Sequence, residues 1–84
     1  MKTIQDINTS LKGRFAFLRS QIDFWAKQRD IELENNQKSK AKQSDEFVQF
    51  YVTRANEVAL IYANINDIDW MDAYKVLMKH YEWR

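Results

Sequence analysis

Apolar positions recur at helical spacing from Thr3 to Asn35 without a break, over roughly thirty residues or about 45 Å of helix. Ile4, Ile7, Leu11, Phe15, Leu18, Ile22, Trp25, Ala26 and Leu33 fall on one side when each residue turns the helix by about 100°, the series of a core-facing helix. A second stripe, Phe17, Phe24 and Ile31, lies elsewhere on the same helix at seven-residue spacing. Gly13 and Ser20 share its strip and would let another backbone come close. Two further helices cover one side of such a rod easily and both sides with difficulty, so the second stripe predicts a protein partner, with a homo-oligomer as one form of it. The competing reading buries both stripes in the monomer, or leaves phenylalanines singly on the surface, where they need no explanation.

The stretch ENNQKSKAKQ, residues 34–43, reads as a connection, with Asn35 and Asn36 suited to a left-handed helix end. Ser44 then caps a second helix over about 44–65, with Asp45 and Glu46 in its first turn, where negative charge is favourable. Its expected core stripe is Phe47, Tyr51, Val58, Ile61, Tyr62 and Ile65, and Arg54, one turn from Glu57, predicts a local ion pair. The run from Asn64 to Asp69 stops this helix and starts a third over about 67–83, capped by Asn66. Trp70, Ala73, Tyr74, Leu77, Met78 and Tyr81 share one face of it, while Met71, Val76 and Trp83 carry apolar surface around the flanks.

These elements predict one all-α domain over residues 1–84, an antiparallel three-helix arrangement in which the long first helix, about 3–35, packs against the other two. Its core is expected to hold Leu11, Phe15, Leu18, Ile22, Trp25, Tyr51, Val58, Ile61, Tyr74, Leu77 and Tyr81. Thr3 with Asp6 forms a variant capping box at the start. Gly13 costs a helix about 1 kcal/mol relative to alanine, which calls for a packing reason, and Arg29 on the core stripe must meet a carboxylate or an aromatic face.

Composition narrows the chemistry. Without cysteine there is no disulfide, thiolate metal site or cysteine nucleophile, and with Gly13 as the one glycine there is no phosphate-cradling loop. Asp67, Asp69 and Asp72 alternate like a cation loop but lack its glycine and closing glutamate, and their place in a first helical turn explains them. His80, the single histidine, has no catalytic company at recognisable spacing. No catalytic, metal or cofactor site is therefore expected, and no enzyme. Asp6 interrupts the opening MKTIQDINTS before an apolar run can form, and no long uncharged window follows, so neither a signal peptide nor a membrane partner is expected and a cytoplasmic location is.

The net charge of +1 conceals a polarity: residues 1–29 sum to +4 and residues 43–84 to −3. Complementary charges between the helices explain this more simply than an acidic partner. Phe, Tyr, Met, Ile, Asn and Lys, the residues of AT-rich codons, make up 33 of the 84, a bias common in phage and plasmid accessory genes. The leading expectation is a non-enzymatic protein-interaction module, an inhibitor of phage or plasmid type directed at a host or defence protein. Its interface would comprise Gly13, Phe17, Ser20, Phe24, Ile31 and Trp83. The alternative is an RNA or single-strand binder, antitoxin-like, using Arg14, Arg19, Lys27, Lys38, Lys40 and Lys42 for the phosphates with aromatic rings between them.

Overall fold

The computed structural model describes residues 3–83, and in them the expected all-α architecture is present: α1 spans Ile4–Glu34, α2 Lys38–Asn66 and α3 Trp70–Glu82. The first cap is the one the sequence predicts. Thr3 Oγ1 accepts from the Asp6 amide while the Asp6 carboxylate accepts from the Thr3 amide, each at 3.1 Å. At the other end Asn36 takes the left-handed conformation, φ 59°, and turns the chain back in three residues.

The second helix starts at Lys38, not near residue 44. Nothing in KSKAKQ opposes a helix, since lysine, alanine and glutamine are strong formers, so the helix runs back until the asparagine turn stops it. Ser44 is consequently no cap. It lies inside α2, buried, and its hydroxyl donates to the Glu32 carboxylate. Asp67 ends α2 in the left-handed conformation, φ 52°, and Asp69, extended, precedes α3, which begins later than residue 67. Asn66, expected to cap α3, is instead the last residue of α2 and exchanges two side-chain hydrogen bonds with Asn8, at 2.8 and 2.9 Å.

Helices α1 and α2 form an antiparallel hairpin whose register is fixed by Asn8 with Asn66, Trp25 on Phe47, Arg29 with Asp45, and Glu32 with Ser44. Facing residue numbers therefore add to about 74. Large side chains of α1 (Phe15, Leu18, Ile22) share a core with small ones on α2 (Ala55, Ala59, Ala63) and with Val48, Val58 and Tyr62, while Ala41 and Ser44 continue the seam of small buried residues toward the turn. Alanine in the seam brings the two backbones close and leaves the bulky residues of α2 to its flanks. Ile61, placed in the core by the pattern, is accordingly exposed, as are Phe47 and Ile65. On α1 Glu32 is buried where Leu33 was expected, because Ser44 supplies its partner.

Helix α3 runs in the same direction as α1 in the groove on one side of the hairpin. Tyr74 packs edge-on to Phe15, Arg19 donates to the Tyr74 hydroxyl, the Tyr81 hydroxyl donates to Asp23, and the Trp70 indole donates to the Asn56 carbonyl. Ala73 and Leu77 close the core. With 13 residues α3 reaches about 20 Å, less than half of the roughly 46 Å of α1. The result is a rod of 50 × 23 × 21 Å with a Cα radius of gyration of 15.1 Å, against about 12 Å for a compact domain of this length.

Gly13 has no packing reason within the chain, since a Cβ built there meets nothing within 4 Å. Gly13→Ala is expected to stabilise the fold by about 0.5–1 kcal/mol, raising the thermal midpoint by several degrees. A fall in the midpoint on thermal melting would show that the position needs glycine after all.

Candidate protein-interaction face

The second stripe of α1 lies on the surface. Phe17 and Phe24 are each 57% exposed and Ile31 41%. Counting about 100° per residue, the stripe is centred about 140° around α1 from the centre of the row Phe15, Arg19 and Asp23, which meets α3. On α2 the residues in the same relation to its α3-facing side are Phe47, Phe50, Arg54, Ile61 and Ile65, all exposed. The two rows lie on the side of the hairpin away from α3 and are bridged by Trp25, with Gln21 and Gln28 between them on α1 by helical position.

At the centre of this face the rings touch one another. Phe24 stands edge-on to Trp25 at 5.1 Å, Trp25 stacks on Phe47 at 4.6 Å, and Phe50 stands edge-on to Tyr51 at 5.2 Å. An open groove of about 540 Å³ runs between Gln43, Glu46, Phe47, Phe50 and Tyr51. Rather than pairing with Glu57, Arg54 lays its guanidinium over the Phe50 ring, 4.5 Å from the centroid. Its charge thereby stays at the surface while its stem and the ring cover each other. The sequence pattern assigned Phe47 to the core, because large side chains were placed there ahead of alanines, and gave Phe50 no role; both are exposed. The spacing 43, 47, 50, 54, 57, 61 was a second helical stripe of α2 in plain view.

The remaining interface candidates divide. Gly13 lies on the exposed strip, and Ser20 lies there with its hydroxyl donating to the Phe17 carbonyl. Trp83, 80% exposed, ends α3 on the other side of the hairpin and does not join the stripe. Val76 lies one heptad before it, and Met71 is exposed on the outer side of α3, so that helix carries apolar surface of its own.

The basic candidates do not converge. Arg19 is committed internally, with Tyr74 and, at 3.6 Å, Asp23. Lys38, Lys40 and Lys42 stand on the first turns of α2 rather than in a loop, Lys38 and Lys42 on one side and Lys40 on the other. Arg14 is some 20 residues, about 30 Å, from them along the rod, and Lys27, three residues after Phe24 and four before Ile31, borders the second stripe of α1. Arg29 meets the carboxylate that its place required, Asp45 at 2.6 Å, with Asp30 at 3.4 Å. The hydrogen bond that Arg29 donates to Asp45 raises the guanidinium pKa, burial works against that, and Asp30 adds to the rise.

His80 is exposed on the last turn of α3. Among the described residues no cluster of His, Asp and Glu is arranged to hold a metal ion, and no helix is long and apolar enough to cross a membrane. Comparison with protein-family models, curated proteins and solved structures returned no match.

Proposed function

We propose that this chain is a non-enzymatic protein-interaction module, a small helical binder that acts by occupying other protein surface in the manner of an inhibitor. The observation that carries the reading is the alignment of Phe17, Phe24, Ile31, Phe47, Phe50 and Ile61 on one exposed face, where scattered apolar residues would mean nothing but a contiguous patch does. Aromatic anchors with charged and amide residues at their edge are the composition of an interface centre and its rim. A module with a second apolar surface on α3, around Val76 and Trp83, can assemble through one and hold a target, such as a host or defence protein, with the other.

The double variant Phe17→Ser, Phe24→Ser tests this. Both rings are at the surface of the monomer, so far-UV circular dichroism and the thermal midpoint of dilute protein are expected to change little while association is lost. Collapse of the helix signal would put the stripe in the core and end the reading. Salt distinguishes the module from an RNA binder: an apolar contact tolerates a rise from 50 to 200 mM salt, whereas phosphate contacts lose affinity by orders of magnitude. A steeply salt-dependent shift of a mixed-sequence RNA oligonucleotide would favour the basic residues instead.

A further inference from the structure

We draw no further inference here: the strongest candidate, the open groove along Phe47, Phe50 and Tyr51 on the side of the α1–α2 hairpin away from α3, carries nothing because nothing in the structure shows what covers it.

Discussion

Phe15→Ala is expected to lower the thermal midpoint by roughly 15–30 °C, because removing a fully buried phenylalanine costs about 3–5 kcal/mol and each kcal/mol is worth about 4–8 °C in a domain of this size. Phe15 is completely enclosed, sitting in the core with Ala59 and Ala63 of α2 and standing edge-on to Tyr74 of α3. It is the point at which all three helices meet. The seam opposite it is made of alanines, which have no rotamers with which to refill the space, so the cavity would stay open and the loss should fall toward the upper end. Phe24→Ala, the same change nine residues further along the same helix, is expected to move the dilute monomer by no more than about 0.5 kcal/mol. Thermal melts of the two variants side by side check the assignment of one stripe to the core and the other to the surface. Equal losses would mean that both stripes are buried.

How legible the fold was depended on whether a signal was carried by large or by small residues. The long first helix, its core stripe and its second stripe could be read directly, because α1 supplies the bulky half of the hairpin seam and its apolar periodicity is unbroken. The capping box at Thr3 and the left-handed turn at Asn36 could also be read, since each depends on local side-chain chemistry. The face of α2 was misjudged for the opposite reason. Its buried residues include Ala41, Ser44, Ala55, Ala59 and Ala63, and a pattern search that weights hydrophobic size turns toward Phe47, Ile61 and Ile65 instead.

The start of α2 was misjudged because lysine-rich polar sequence resembles a loop, although lysine, alanine and glutamine favour a helix once nothing stops them. For the candidate site, half was visible. Phe17, Phe24 and Ile31 could be found by their spacing, but the rings of α2 that complete the face only join them once the register of the hairpin is known.

That register has a polar determinant at its closed end, which leads to the second large effect. Ser44→Ala is expected to cost about 1–3 kcal/mol, more than a serine-to-alanine change usually does, because it leaves the buried Glu32 carboxylate without its hydroxyl partner. The carboxylate cannot easily turn to water from the α1–α2 interface, and Arg29, one turn away, already holds Asp45 and Asp30. The cost therefore belongs to the stranded group and not to the lost bond. Glu32→Met in the Ser44→Ala background removes that group while keeping a side chain of similar length, and it should recover most of the loss. A double-mutant cycle followed by urea unfolding reads the coupling directly. If the two changes simply add, Glu32 has another way of being satisfied. If they couple, the Glu32–Ser44 contact is what holds α2 in register this close to the turn, where a slip of one residue would take Phe47 off its stack on Trp25.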